Sequence, residues 1–317
     1  MGIFGCLAGH WVVSAKNVGL DVVWAFENGS DARLSKMASF MRFNHREIPF
    51  SDNFKWFMEK QRKQADIIMG SPPCIGISTG NPNSKTDHAA NQGMLMFADA
   101  VMHDKPSAFI MEMVAMFKKS TKFYPLYKQY MEKYQDEYNI ISPILDLENY
   151  GSPTERERVF FIGFHKDLDY KPTIPKPLNT TVTARETFAK AGLDNPTEEE
   201  AVRAKRTQKW NPNWKGPYSS LTRDPNFFTL PEDGPGRTFT AVGGSLTKHP
   251  DNHRCITKEE AKVLMGLPKD YRINAGFSTV IRACAWGVPV QSLDVIIKHV
   301  SSELAIAKDL KTKESIA

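Results

Sequence analysis

The sequence predicts an α/β fold built on a parallel sheet with helices between the strands. Three observations point there. Short apolar runs recur at Leu20–Phe26, Ala65–Gly70, Ala108–Met111 and Val159–Phe164. Helical stretches separate them, an alternation that belongs to parallel sheets. Three of the runs stop at or next to a residue able to do chemistry: Glu27, Cys74 and Glu112.

The elements follow in order. Residues 2–9 are small and apolar, a short helix runs to Asn17, and Gly19 ends it. Leu20–Phe26 is the next strand, so the chain opens on a strand, turn, helix, strand unit. A polar helical segment covers Ser30 to Phe43. Ala65–Gly70 is a strand broken by Ser71-Pro72-Pro73-Cys74, and residues 75–92, rich in Gly, Ser, Asn and Thr, read as a mobile loop. Gly93 to Met102 is helical, Ala108 to Met111 is a strand ending at Glu112, and Tyr124 to Tyr138 is an amphipathic helix. Ile140–Leu147 and Val159–Phe164 are two more strands, split by Tyr150-Gly151-Ser152-Pro153.

After residue 165 the alternation gives way to prolines, glycines and basic residues. A second, irregular domain is therefore expected over 166–269, between two parts (1–165 and 270–317) of the first. Within it Thr257 to Met265 is a short helix, with Thr257 as N-cap and Glu260 three residues on, a capping box. Pro289 to Glu303 is the closing helix.

At 317 residues with 41% hydrophobic and 24% charged residues, the chain can bury a sizeable core, which excludes bulk disorder. The net charge of +5 suits a polyanionic partner and equally a basic housekeeping enzyme. The four cysteines form no C-x-x-C pair and the histidines show no zinc spacing, so no metal is expected. Lys16 and Asp21 interrupt the apolar start, and no apolar run approaches the roughly 20 residues that span a bilayer. The expectation is a cytoplasmic monomer with no membrane partner.

Ligands of parallel sheets bind at the carboxyl ends of the strands, where Glu27, Cys74 and Glu112 fall together. Two prolines fix the backbone before Cys74, and a thiolate there is a nucleophile, although an isolated cysteine is commonly a buried structural residue. A partly buried Glu112 tends to keep its proton and can act as an acid. Glu27 stands where nucleotide folds place the acid that binds ribose, and Gly5-Cys6-Leu7-Ala8-Gly9 lets the chain pass close to a cofactor. Alternate residues of an extended chain share a face, so Arg156 and Arg158 are expected to point into one site, unless Thr154 to Arg158 is merely a solvated charge run.

Taken together and in this order, the segments resemble the cytosine-5 DNA methyltransferase family. Phe4 to Gly9 resembles its first cofactor loop, and Val23-Trp24-Ala25-Phe26-Glu27-Asn28 its ribose-binding motif. Gly70-Ser71-Pro72-Pro73-Cys74 resembles the nucleophile motif and Met111-Glu112-Met113-Val114 the Glu-Asn-Val motif. Tyr150 to Pro153, then Arg156 to Gly163, resembles the arginine motif. Arg254 to Ala261 with Leu264 to Pro268 resembles the motif that follows target recognition, and Gly287-Val288-Pro289-Val290 the last one. The likeness runs from about residue 3 to 300.

The resemblance implies a Rossmann-like methyltransferase sheet with a small irregular target-recognition domain, S-adenosylmethionine as cofactor, and double-stranded DNA as partner in a bacterial or phage-like setting. It implies a flipped cytosine. Cys74 adds to carbon 6, Glu112 serves ring nitrogen 3, Arg158 holds the carbonyl oxygen with Arg156 beside it, and residues 75–92, with Ser78, close over the base. It places Phe4, Gly5, Gly9, Glu27, Asn28, Pro73 and Trp286 around the cofactor. Arg203, Lys205, Arg206 and Lys209 are candidate phosphate contacts, Trp210 and Trp214 a small core or a stacking pair, and Gly243-Gly244 a close approach to nucleic acid. So short a domain predicts a brief or relaxed recognition site.

The departures keep alternatives open. The usual Phe-Ala-Gly-x-Gly-Gly is Phe4-Gly5-Cys6-Leu7-Ala8-Gly9. Ile75, Met113 and Thr154 replace Gln, Asn and Gln, and the bulky Trp286 replaces a small polar residue. Chemistry residues are kept while supporting residues drift. That leaves open a modified S-adenosylmethionine-type donor, an RNA substrate, and a non-catalytic DNA-binding homologue.

Overall fold

The computed structural model describes residues 1–60, 62–74, 76–77, 83–193, 229–241, 247–250 and 254–314. The chain divides into two compact units. The first is Met1–Leu145, Glu157–Lys176 and Leu293–Ala317; the second is Asp146–Arg156 and Pro177–Ser292.

The first unit is a helix-flanked sheet. In order it holds β1 (Gly2–Phe4), α1 (His10–Asn17), β2 (Trp24–Phe26), α2 (Ala32–Asn44), β3 (Phe50–Ser51), α3 (Phe54–Glu59), β4 (Ile67–Gly70) and α4 (Gln92–Asp104). Then come β5 (Ala108–Val114), α5 (Met116–Lys119), α6 (Tyr124–Glu132), β6 (Tyr138–Ile141), β7 (Ile144–Asp146) and β8 (Glu157–His165). The strand order is β3-β2-β1-β4-β5-β8-β6, with β7 also on β8. Strands β3 to β5 are parallel. The side chains of β1, β2 and β4 are buried on both faces, as continuous runs such as Ile67-Ile68-Met69 demand.

The expected all-parallel sheet is corrected at one side, because β8 runs antiparallel to both β5 and β6. Strand direction leaves no mark in an apolar run. The strand expected over Ile140–Leu147 is two strands, β6 and β7, parted at Ser142-Pro143. Proline has no N–H for the ladder, and its carbonyl instead accepts from Phe160 N at 3.0 Å. The helix expected over Tyr124–Tyr138 stops at Glu132, and Tyr138 opens β6. Glu112 lies inside β5, two residues before its end.

Aromatic rings fill the space between sheet and helices. Phe4 lies 4.6 Å from Phe26 and 5.6 Å from Phe97, and Phe109 stacks on Tyr134 at 4.6 Å. Gly163 faces Phe109 across the β5–β8 ladder; a Cβ there would come within 2.2 Å of that ring, so the glycine makes its room.

In the second unit, α7 (Ala184–Lys190) and α8 (Lys258–Leu264) each begin with a capping box, Thr183 with Glu186 and Thr257 with Glu260. Next come α9 (Phe277–Trp286) and α10 (Val290–Glu314), whose later turns belong to the first unit. A window within Phe277–Glu314 reaches a mean hydropathy of 1.4, but 72% of it is buried, as in a core helix of a soluble protein. Arg203, Lys205, Arg206, Lys209, Trp210, Trp214, Gly243 and Gly244 lie outside the described residues, as do Ile75 and Ser78.

A Cβ on Gly70 would sit 1.6 Å from the Phe4 carbonyl oxygen in the neighbouring strand. Gly70→Ala is therefore expected to cost about 3 kcal/mol or more. Gly234→Ala, which meets nothing within 4 Å, should stay within about 0.5 kcal/mol. Denaturant midpoints of the two variants check this.

Candidate functional site

Register places the candidate residues. Phe4 pairs with Phe26 and Gly70, and Gly70 with Met111. The next residues, Gly5, Glu27, Ser71 and Glu112, therefore form one row at the carboxyl edge of β1, β2, β4 and β5.

At β1 the chain turns sharply. Gly5 N and Cys6 N donate to Phe26 O at 2.9 and 3.1 Å, and Gly9 N donates to Cys6 O at 2.9 Å. Gly5, Leu7 and Gly9 have φ of 67°, 45° and 103°, the left-handed region. The Phe4 ring is 2% exposed and belongs to the core.

Glu27 is 1% exposed. One carboxylate oxygen accepts from Leu7 N at 2.8 Å and the other from Asn28 N at 3.0 Å. Burial pushes the carboxyl up to about 7, against the pull of the two amides. Half-buried Asn28 accepts from Ser30 N and Ser30 Oγ. A carboxylate here has the chemistry for ribose hydroxyls, since each oxygen keeps a spare lone pair. The donor set thus fits a nucleoside cofactor, provided Leu7 N–H shares or yields its acceptor.

After β4, Ser71 and Pro72 are buried while Pro73 and Cys74 are half-exposed. No cysteine forms a disulfide, and Cys6, Cys255 and Cys284 are buried, so Cys74 alone reaches solvent. Burial raises the Cys6 thiol well above its ordinary value and Cys284 to about 12. A Cβ on Gly93 would come within 2.6 Å of Pro73 Cδ, so α4 packs closely under the proline. The described part of the loop that follows is tied down. Ile77 N donates to Cys74 O, Lys85 N to Gly76 O, and Asn91 Nδ2 to the Lys85 and Thr86 carbonyls.

Glu112 is 6% exposed and meets Arg158 Nε at 2.7 Å. Arg158 pairs with Val114 across the antiparallel ladder, which brings the start of β8 to the same edge. The expectation that Arg156 and Arg158 share a face rested on strand alternation. Strand β8 starts only at Glu157, so alternation does not reach residue 156. Its buried guanidinium donates to Phe239 O at 3.3 Å and Ala285 O at 3.0 Å within the second unit. Trp286 ends α9 in that unit, with Arg282 over its ring at 5.8 Å.

Sequence reasoning passed over Trp11. Its indole N–H donates to Ser71 Oγ at 2.9 Å in the buried interior. A side-chain contact spanning 60 residues leaves no local pattern. Among the described residues no group of three His, Cys, Asp or Glu is placed to hold a metal ion.

This sheet, with helices between its strands and an acid-bearing carboxyl edge, is the Rossmann-like fold of the C-5 methyltransferases. The family model for C-5 cytosine-specific DNA methylase matches residues 6–302, and the chain belongs to that family. It is 24% identical over 281 residues to the type II methyltransferase M.MthTI of Methanothermobacter thermautotrophicus, covering 79% of this chain and 82% of that one. It is 24% identical over 277 residues to M.SsoII of Shigella sonnei, covering 82% and 70%. In fold it is similar to a prophage-encoded Escherichia coli protein assigned as a DNA modification methyltransferase. That match has TM-score 0.73 and 19% identity, over 96% of this chain and 99% of that one.

Glu27 makes stability depend on pH. Below about 4.5 it is protonated in both folded and unfolded chains. Between 4.5 and about 7 only the unfolded chain releases the proton, so folding weakens as pH rises and levels off above 7. The loss is up to about 3 kcal/mol. Glu27→Gln should gain on the wild type between pH 4.5 and 8 in urea melts; an unchanged difference would remove the titration from Glu27.

Proposed function

We propose that the chain is a DNA cytosine-5 methyltransferase working through Cys74 on a cytosine flipped out of duplex DNA. The observation that carries this is Cys74 itself. It is the one cysteine of four with solvent access, on a segment leaving β4 level with the Glu112–Arg158 pair.

S-Adenosylmethionine, when bound, supplies an electrophilic methyl group; Glu27, Asn28 and the Phe4–Gly9 loop would hold its nucleoside. The Cys74 sulfur forms a bond to carbon 6 of the base, and the carbon 5–carbon 6 π pair shifts to carbon 5. Glu112, after taking up a proton from water as the base enters, would donate it to nitrogen 3, so that no full negative charge builds on the ring. Arg158 orients Glu112 and holds the carbonyl oxygen. The methyl group, released as its bond to the donor sulfonium breaks to leave a thioether, would go to carbon 5; loss of the carbon 5 proton to a base, with return of the nitrogen 3 proton to Glu112, would then restore the double bond and expel Cys74 as thiolate. Residues 166–269 read the target sequence, and the enzyme acts as a monomer.

Nucleoside mass spectrometry of DNA from expressing cells tests this. The wild type should produce 5-methylcytosine, and Cys74→Ala none. Glu112→Gln should lower the rate about 10²- to 10⁴-fold, the range of general-acid effects. A Cys74-dependent mass other than 5-methylcytosine would replace the donor. An absence of any modified DNA base would favour an RNA substrate or a binding protein.

A further inference from the structure

Trp11 stands on the first turn of α1, two residues after the left-handed Gly9 that closes the loop following β1. It is 1% exposed. Its only polar atom is spent on Ser71, at the start of the Cys74 segment. Ser71 is gripped on its other side as well. A Cβ on Gly5 would come within 2.6 Å of the Ser71 carbonyl oxygen, so the two backbones touch there and nothing larger than glycine fits. From Ser71 to Cys74 the chain has little freedom. Pro72 and Pro73 have fixed φ, and Pro73 rests against Gly93 of α4. Cys74 is thus joined to the loop after β1 and to α1 through one close backbone approach, Gly5 to Ser71, and one buried hydrogen bond, Trp11 to Ser71.

A transfer that needs sulfur, base and donor carbon in line loses rate when they are misplaced by as little as 1 Å. Nothing in the packing alone requires a polar contact at this point. A phenylalanine at 11 and an alanine at 71 would keep the site apolar while removing the bond, the phenylalanine at the cost of a small void.

We infer that Trp11 and Ser71 are a positioning pair. Their hydrogen bond registers the nucleophile segment against the loop proposed to hold the donor, and acts on turnover rather than on affinity. The inference rests on the reading of Cys74 as nucleophile, and the test separates the two.

Trp11→Phe, Ser71→Ala, the double variant and Ser71→Thr, which keeps the hydroxyl, are compared with wild type in steady-state methylation of duplex DNA. Each single variant should lower kcat about 10- to 100-fold, an effect of the size expected for misplacement, with KM for DNA and donor within about threefold. The double variant should be no worse than the poorer single, because both remove one bond. Ser71→Thr should recover most of the turnover. The second readout needs no catalysis. N-Ethylmaleimide reaches only Cys74 among the four cysteines. Its rate should change at least about threefold in Trp11→Phe and Ser71→Ala and return in Ser71→Thr.

Unchanged kcat with unchanged alkylation overturns the pair. So do single losses that multiply in the double variant, or losses that track a fall in Tm. Methylation that is absent from the wild type, or that survives Cys74→Ala, sinks the nucleophile reading, and the alkylation rates then decide the positioning pair alone.

Discussion

The carboxyl edge of the sheet depends on the register of four parallel strands. Phe4 opposite Phe26 and Gly70, and Gly70 opposite Met111, put Gly5, Glu27, Ser71 and Glu112 in one row. Steric exclusion guards that register, since the Phe4 carbonyl occupies the place of a Gly70 side chain. A slip of one residue would reverse the facing of every side chain in the strand. Here it would drive a residue larger than glycine against that carbonyl and would move Ser71 out of reach of Trp11. Core and site are thus set by the same alignment.

The loop after β1 shows why its departures from the family pattern are tolerated. Left-handed backbone is needed only at Gly5, Leu7 and Gly9. Cys6 and Ala8, which stand where the family has glycines, lie on ordinary backbone and are fully buried. Leu7 is the strained position, since a left-handed conformation costs an L-residue about 1–2 kcal/mol. Its amide donates to Glu27, and a hydrogen bond to a charged group is worth a comparable amount. Glu27 therefore supports the loop as well as offering an acceptor, at the cost of a buried carboxyl that titrates near neutrality.

How much of this was legible follows from what each feature depends on. The strands β1, β2, β4 and β5 were readable because parallel strands buried on both faces need unbroken apolar runs. The capping box at Thr257 and Glu260 was readable because its chemistry is local. The two-residue β3 and the six-residue α3 are too short for a period, and α9 follows Gly276 with no side-chain cap to announce it. The antiparallel setting of β8 depends on its neighbours, not on its own residues. Cys74 stood out because prolines and a loop flank it. Alternation could not place Arg156, because the strand begins only at Glu157, and Trp11 escaped because its partner is distant in sequence.

The Glu112–Arg158 pair is hard to explain by stability. Its side chains are only 8% and 15% exposed, on strands whose neighbouring residues Met111, Met113, Val159 and Phe160 are all at or below 1%. Withdrawing two charges from water costs several kcal/mol per ion, and apolar residues of similar size often serve as well or better. A fold selected only to persist would have no need of the pair. What the pair adds is orientation, since each group holds the other with directed geometry on the adjacent strands β5 and β8. Breaking it leaves one charge buried and unmatched, which ties the integrity of β5 and β8 to the same two residues. The sheet edge therefore carries an arrangement that is costly for folding and apt for polarising a ring, and that combination argues for chemistry at this edge.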